Sequence, residues 1–215
     1  MKKILLLGDS IRLGYCEFVK EILTGQAEVF YPADNGRFLQ YTLRQLQDWK
    51  TQLNLSSNDI DVIHWNNGLW DCGHLGMGGL TGEDLASTAK VSPDGTCVYE
   101  EEPLTPPDFY AYLLRRVYQR LRALFPQARV IFALTSSILE EQAPNFLYRT
   151  NAEIREYNKI AQDVLSGFGV EFNDLNTFTA GPEIARLHRD WVHFNDAGSR
   201  LIAEEIAGFL KPYLA

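Results

Sequence analysis

Two short segments far apart in the chain carry residue types that could perform covalent chemistry together. The first is Gly8-Asp9-Ser10, which follows the apolar run Ile4–Leu7 directly and precedes an amphipathic stretch. This order places Ser10 at the end of a strand and at the start of a helix, where backbone N–H groups stabilise a developing anion. Ser and Asp are also common helix-capping residues, so the tripeptide alone does not separate a nucleophile from a plain cap.

The second segment is Asp190-Trp191-Val192-His193, on the loop that enters the last predicted helix. A serine hydroxyl is a weak nucleophile and needs an adjacent base. A histidine base in turn needs a carboxylate on its other ring nitrogen, which fixes its tautomer and orientation. The spacing of three lets one loop present both groups, so we predict Ser10 as nucleophile, His193 as base and Asp190 as the residue that orients the base.

Short apolar runs alternate with amphipathic stretches along the chain, which is the pattern of a parallel sheet covered by helices on both sides. Strands are predicted at 4–7, 28–31, 61–65, 130–134 and 170–172, and helices at 11–23, 38–53, 106–125, 152–165 and 196–210. In the helix over 106–125, Thr105 is the expected cap and Phe109 opens the expected apolar stripe. We expect one domain over 1–215, interrupted by a glycine-rich insertion at about 72–104 at the carboxyl edge of the sheet.

Bulk composition restricts the class of protein. The 215 residues carry a formal net charge of −8, which disfavours nucleic-acid partners because such proteins normally show a basic patch. The three cysteines are widely spaced and form no disulfide framework or metal-binding motif. The first apolar run is too short for a signal peptide, and no apolar stretch reaches membrane-spanning length, so we expect a cytoplasmic protein without a membrane span.

With both segments placed on this frame, the sequence resembles the SGNH (GDSL-type) hydrolases. The resemblance rests on Gly-Asp-Ser after the first strand and Asp-x-x-His before the last helix, and it extends over the whole chain. It implies a flavodoxin-like three-layer α/β/α fold with a five-stranded parallel sheet in the order 2-1-3-4-5. It also implies an oxyanion hole made from the serine N–H, a glycine N–H after the second strand and an asparagine side chain after the third.

The glycine and asparagine of this implied oxyanion hole carry over unequally. Gly36 follows the second strand and is the expected glycine donor. The third strand ends in His64-Trp65-Asn66-Asn67-Gly68-Leu69-Trp70-Asp71, where Trp70 occupies the place in which the family has asparagine. We favour Asn66 as the side-chain donor, since Asn-x-Gly-Leu-x-Asp looks like a variant of the family's block. Asn67 and the indole N–H of Trp70 remain alternatives.

The resemblance implies a serine esterase that hydrolyses a carboxylic ester through an acyl-serine intermediate, with no metal or organic cofactor. The expected partner is a small-molecule or saccharide ester, and an acetyl ester of a carbohydrate is one candidate. A lipase or thioesterase type of acyl hydrolase is an alternative. So is a non-catalytic binding or scaffold protein on the same fold, because the Trp70 position is irregular. A nucleotide or flavin binder is disfavoured, since the chain has no G-x-G-x-x-G or P-loop motif.

Overall fold

The fold is built on a parallel sheet of five strands, seen in a computed structural model that describes residues 1–76, 89–91, 95, 98–143 and 147–214. In chain order the strands are β1 (Lys2–Leu7), β2 (Ala27–Phe30), β3 (Val62–Trp65), β4 (Arg129–Ala133) and β5 (Glu171–Asn173). Their order across the sheet is β2-β1-β3-β4-β5, and every neighbouring pair is parallel. The predicted order 2-1-3-4-5 and the α/β fold class are therefore confirmed.

Helices cover both faces of the sheet. They are α1 (Ser10–Ile22), α2 (Leu39–Gln52), α3 (Pro107–Leu124), α4 (Asn151–Leu165), α5 (Leu175–Ala180), α6 (Pro182–Ala185) and α7 (Asp196–Leu210). Helices α1 and α7 pack against each other on one side, while α2, α3 and α4 form a row on the other. The side chains of Ile4, Leu5, Leu6 and Leu7 in β1 are all buried, as their continuous apolar run predicts for a strand covered on both faces.

The start of α3 differs from the prediction. Its first turn is preceded by Pro106, which makes no side-chain cap, and the hydroxyl of Thr105 instead donates a hydrogen bond to Asp71 Oδ1 at 2.9 Å. Phe109 is 41% exposed, and the buried face of the helix begins at Tyr110. The prediction that the apolar stripe begins at Phe109 is therefore wrong by one residue. The buried stripe begins at Tyr110, whose hydroxyl makes it look less apolar than Phe109 in the sequence.

Two short antiparallel strand pairs lie outside the main sheet. His74–Leu75 pairs with Leu147–Tyr148, and Ala89–Val91 pairs with Val98–Glu100. The rings of Tyr99 and Tyr148 stack at 4.4 Å and join the two pairs. Three of these four strands lie in the predicted insertion at 72–104, whereas Leu147–Tyr148 lies outside it. Residues 77–88, 92–94 and 96–97 of the insertion lie outside the described residues.

No helix within the described ranges combines the length and the apolar composition that a membrane-spanning segment requires.

Candidate active site

Ser10 stands at the carboxyl end of β1 as the first residue of α1. The strand ends at Leu7, and Asp9 caps the helix by accepting a hydrogen bond from the Ile11 N–H at 2.9 Å. A backbone N–H in the first turn of a helix has no intrahelical acceptor. The N–H of Ser10 is therefore available to an oxygen bound beside the Ser10 hydroxyl, at the positive end of the helix dipole.

The structure brings Ser10, His193 and Asp190 together. His193 Nε2 lies 2.8 Å from Ser10 Oγ, and His193 Nδ1 lies 3.0 and 2.9 Å from the two carboxylate oxygens of Asp190. The chain of contacts runs from carboxylate to imidazole to hydroxyl, in the order that lets an imidazole accept the hydroxyl proton. The three predicted residues thus form one hydrogen-bonded chain.

Backbone N–H groups of its own loop hold the Asp190 carboxylate in place. Its Oδ1 accepts hydrogen bonds from the N–H groups of Val192 at 3.0 Å and His193 at 2.8 Å. Partial burial opposes ionisation of Asp190, but these N–H groups and the imidazole outweigh it and keep the pKa of the carboxyl below its usual value. Asp190 is thus an anion at neutral pH, as a group that stabilises an imidazolium must be.

Gly36 lies next to the turn Gly8-Asp9-Ser10, but its N–H already donates a hydrogen bond within the fold. That N–H donates to the Gly8 carbonyl oxygen at 2.9 Å, and a Cβ at position 36 would be only 2.5 Å from the same oxygen. Only glycine fits this approach between the loop after β2 and the end of β1. The expectation that the Gly36 N–H is free to bind an oxyanion is corrected, because Gly8 already accepts it.

Asn66 and Asn67 point in different directions. A Cβ at Gly8 would be 3.4 Å from Asn66 Cβ, so Asn66 lies against the turn at Gly8. Its Nδ2 donates one hydrogen bond to the Ala133 carbonyl at 2.8 Å. Asn67 is turned away: its Nδ2 donates to the Arg37 carbonyl and its Oδ1 accepts from Trp65 Nε1, both at 2.8 Å. An amide nitrogen carries two hydrogens, so Asn66 retains a second one.

Asp71 anchors the segment after β3 to two other elements. Its carboxylate accepts hydrogen bonds from the Leu39 N–H at 3.0 Å and from the Thr105 hydroxyl at 2.9 Å. Helix α2 has no side-chain cap of its own at Phe38, so Asp71 caps it from a distant part of the chain. Complete burial raises the pKa of Asp71 to about 7 despite these hydrogen bonds.

Two buried arginines lie close to the turn Gly8-Asp9-Ser10, and neither was predicted from the sequence. Arg12 donates to the Pro32 carbonyl at 2.7 Å and also to the carbonyls of Gly8 and Asp34. Arg149 donates to the Leu69 carbonyl, and its guanidinium lies 5.0 Å from the Trp191 ring centroid. No spacing or motif marks either residue, because both act through backbone carbonyls that only the fold brings into reach.

Asp9 is a completely buried carboxyl that interacts electrostatically with Arg149, Arg12 and His193. Burial raises the pKa of Asp9, while the Ile11 N–H and the positive charges of Arg149 and Arg12 oppose that rise. Within the part of the chain that the structure describes, Asp9 Oδ2 has no hydrogen-bond partner, and neither has Nε of Arg149 or Nε of Arg12. Beneath Ser10 there is therefore a buried polar layer in which the carboxyl of Asp9 interacts electrostatically with Arg149 and Arg12.

Among the described residues, no group of three or more His, Cys, Asp or Glu side chains is placed to hold a metal ion. His74 has both ring nitrogens in contact with oxygen: Nδ1 lies 2.9 Å from the Glu100 carbonyl oxygen and Nε2 lies 3.0 Å from Glu153 Oε1. Histidine 64 is a buried core residue, with Nε2 3.1 Å from Asn173 Oδ1, and burial lowers its pKa to about 4.

Several solved structures are similar to this chain in fold. Similar solved structures include a lipase/acylhydrolase from Enterococcus faecalis, at 19% identity and a TM-score of 0.69 over 99% of this chain and 96% of that one. An acetyl xylan esterase, AlAXEase, matches at 19% identity and a TM-score of 0.63 over 97% and 99% of the two chains. A member of the lipolytic protein G-D-S-L family from Veillonella parvula matches at 17% identity and a TM-score of 0.60 over 98% and 99%.

At these identities the structural likeness supports the fold alone. The search of curated proteins finds no match to the chain. A sequence model of the GDSL-like lipase/acylhydrolase family, however, matches residues 6–201, which include Ser10, Asp190 and His193. The chain belongs to the GDSL-like lipase/acylhydrolase family.

Proposed function

We propose that the protein is a serine esterase that cleaves a carboxylic ester through an acyl-serine intermediate. The observation that carries the proposal is the contact of 2.8 Å between His193 Nε2 and Ser10 Oγ, with Asp190 on the other ring nitrogen. A neutral imidazole in this position accepts the hydroxyl proton as the serine oxygen attacks the ester carbonyl. Asp190 stabilises the imidazolium that results.

The reaction proceeds in two halves. Ser10 Oγ bonds to the carbonyl carbon, its proton passes to His193 Nε2, and the tetrahedral oxyanion collapses as His193 gives that proton to the departing alcohol oxygen. Water then attacks the acyl-serine with His193 again as base, and the acid and the free serine are released. Each half moves one proton out to His193 and back, so the enzyme ends unchanged.

Two donors are proposed for the oxyanion. The Ser10 N–H lies at the start of α1 and has no intrahelical acceptor. The second is the remaining Nδ2 hydrogen of Asn66, since Asn66 lies against the turn at Gly8, whereas the Asn67 side chain is directed toward Trp65 and Arg37. One such donor is worth about 3–4 kcal/mol of transition-state stabilisation.

For the substrate we propose an acetyl ester of a carbohydrate. The support is the similarity in fold to an acetyl xylan esterase along nearly the full length of both chains. Acyl hydrolases that act on lipids or thioesters use the same triad chemistry. The relative rates on esters of different acyl chain length distinguish them from an acetyl esterase.

The test is acid release from a short panel of acetyl, butyryl and octanoyl esters, followed in a pH-stat with wild type and Ser10→Ala. We expect wild type to hydrolyse acetyl esters fastest and Ser10→Ala to lose turnover while its circular dichroism and melting temperature stay close to wild type. Equal turnover by the two proteins would overturn the assignment of Ser10. Preference for octanoyl esters would reject the acetyl proposal and leave the triad standing.

A further inference from the structure

One buried side chain, Arg149, contacts both of the segments that carry the proposed catalytic groups. Its Nη1 donates a hydrogen bond to the Leu69 carbonyl, in the segment after β3 that begins with Asn66. Its guanidinium carbon lies 5.0 Å from the ring centroid of Trp191, in the loop that carries His193. Arg149 is only 2% exposed, so its side chain lies between these two segments and not on the surface.

The backbone of Arg149 is fixed on both sides. The preceding residue, Tyr148, pairs with His74 in one of the short antiparallel strand pairs. The following residue, Thr150, caps α4 by accepting a hydrogen bond from the Glu153 N–H at 3.1 Å. The guanidinium therefore extends from a fixed point in the fold, and its contacts restrict the position of the segments that it meets.

The loop that carries Asp190 and His193 depends on outward contacts for its position. The hydrogen bonds within it, such as those that the Asp190 carboxylate accepts, fix its shape but not its place in the fold. Two contacts that point out of the loop are made by Trp191. Its carbonyl accepts a hydrogen bond from the Leu139 N–H at 2.8 Å, and its ring meets the Arg149 guanidinium. Trp191 thus links the position of the loop to that of Arg149.

The charge of Arg149 is buried without full compensation. Its hydrogen bond goes to an uncharged carbonyl, and its Nε has no hydrogen-bond partner among the residues that the structure describes. Burial of a charge costs stability unless the charge is paired and hydrogen-bonded, so an apolar side chain of similar length would fill this space at a lower cost. The guanidinium adds direction instead, because it places a donor on a carbonyl and a cation on an indole ring, and both attractions strengthen where water is excluded.

We propose that Arg149 is a positioning residue for ester hydrolysis. Through Trp191 it places His193 against the Ser10 hydroxyl. Through the Leu69 carbonyl it holds the segment after β3 that carries the proposed side-chain donor to the oxyanion. This inference rests on the proposed esterase function and adds a residue to it. A displacement of reacting groups by about 1 Å is enough to lower kcat by about 10²-fold.

The test compares two substitutions of Arg149 with a matched control. Arg149→Met removes the cation at nearly constant side-chain length, and Arg149→Lys restores a cation and a donor. The control is Arg129→Met. The Arg129 guanidinium also lies over an aromatic ring, 5.2 Å from the Tyr213 centroid, but it belongs to the first residue of β4, at the opposite edge of the sheet from Ser10. Titration with a fluorophosphonate gives the concentration of sites that react at Ser10, and kcat for an acetyl ester is expressed per labelled site.

We expect Arg149→Met to lower kcat per labelled site by about 30–100-fold and to keep KM within about threefold of wild type. Arg149→Lys should be at least about threefold faster than Arg149→Met, and Arg129→Met should stay within about twofold of wild type. A merely structural role would lower the fraction of protein that is labelled and leave kcat per labelled site unchanged. That result would overturn the proposal, as would a rise in KM at unchanged kcat or an Arg149→Lys variant no faster than Arg149→Met.

The link through Trp191 has its own test. Trp191→Phe keeps an aromatic face for the guanidinium and Trp191→Leu removes it. We expect kcat per labelled site to stay within about threefold of wild type in Trp191→Phe and to fall by at least about tenfold in Trp191→Leu. In combination with Arg149→Met the two substitutions should differ by less than about twofold, because no cation remains to contact the ring.

Equal kcat values for Trp191→Phe and Trp191→Leu would overturn the proposal. This comparison needs only variants of Trp191, so it decides the question even where Arg149→Met does not fold. Failure of the esterase function itself has a different signature, because wild type would then neither cleave any ester nor react with the fluorophosphonate.

Discussion

His193 Nε2 and Ser10 Oγ lie 2.8 Å apart although 183 residues separate them in the chain. The contact follows from the topology. Ser10 begins α1, His193 lies on the loop that enters α7, and these two helices pack side by side on one face of the sheet. The loop enters α7 at Asn195, whose side chain caps that helix through the Gly198 N–H at 3.0 Å. The packing of α1 against α7 at the carboxyl edge of the sheet therefore brings the His193 imidazole into contact with the Ser10 hydroxyl.

Replacement of Asp190 by asparagine should greatly reduce kcat and leave the free energy of unfolding close to that of wild type. An amide oriented by the Val192 and His193 N–H groups would present its own N–H toward Nδ1 and favour the wrong imidazole tautomer. The same exchange in a serine protease triad lowers kcat by about 10⁴. The measurement is kcat for a short acetyl ester with Asp190→Asn beside wild type. A loss of less than about tenfold would show that Asp190 does not orient the base.

The two asparagines after β3 should separate by their kinetic effects. Asn66→Ala is expected to lower kcat by about 10²–10³ with little change in KM, because it removes an interaction made mainly in the transition state. Asn67→Ala is expected to act on stability instead, since Asn67 bonds Trp65 and Arg37 within the fold. Steady-state kinetics and thermal unfolding of both variants check this. A larger kcat loss in Asn67→Ala would assign the donor role to Asn67.

Gly36→Ala should destabilise the protein because the added methyl group has no space. The new Cβ would be 2.5 Å from the Gly8 carbonyl oxygen, so the loop after β2 or the nucleophile turn must move. Overpacking of this kind costs about 1–3 kcal/mol, and we expect a fall in activity with it since the displaced turn carries Ser10.

Gly208→Ala is the control for that substitution. Position 208 lies inside α7 and a Cβ there would meet nothing within 4 Å, so this variant should be as stable as wild type or more stable by up to about 1 kcal/mol. Urea unfolding of both variants measures the difference. Equal stability of Gly36→Ala and wild type would contradict the close approach of the loop to Gly8.

Asp71 should make stability fall as pH rises. The pKa of Asp71 is about 7 in the fold and near 3.8 in the unfolded chain, so between these values the folded state holds a proton that the unfolded state has released. Unfolding free energy therefore decreases with rising pH across this window, by up to about 4 kcal/mol in total. Asp71→Asn removes the titration, so it should lose less stability over the same range.

The measurement is urea unfolding of wild type and Asp71→Asn at several values from about pH 4 to about pH 8. The free energy of unfolding of wild type minus that of Asp71→Asn should decline steadily with pH. Taking the difference removes the contributions of the other titrating groups, which both proteins share. A difference that is flat or increases with pH would show that Asp71 is already ionised in the fold.

The sequence predicted the elements of the fold well because their signals are local. The apolar run of β1, the glycine that ends it and the long amphipathic helices gave strand and helix positions to within a few residues. Helices α5 and α6 were missed, since segments of six and four residues are too short to show a helical period. Thr105 was misplaced as a cap because its hydroxyl serves Asp71, a partner 34 residues away.

The site was predictable where a side chain is recognised by type and spacing, as in Ser10, Asp190 and His193. Prediction was poorer where a residue's role depends on the path of the backbone. The engagement of the Gly36 N–H by Gly8 depends on how closely two loops approach, which no motif encodes. Arg149 carries no signal in the sequence at all, because its contacts with the Leu69 carbonyl and the Trp191 ring are made only in the assembled fold.

The most direct test of the account is the site and rate of covalent labelling by a fluorophosphonate, which forms a phosphonyl ester with an activated serine. Wild type, Ser10→Ala and His193→Ala would be treated in parallel, and the modified peptide identified by mass spectrometry. We expect one adduct on Ser10 in wild type, none in Ser10→Ala, and labelling slowed by at least about 10³-fold in His193→Ala. Labelling of His193→Ala at the wild-type rate, or no adduct on Ser10 in wild type, would contradict it.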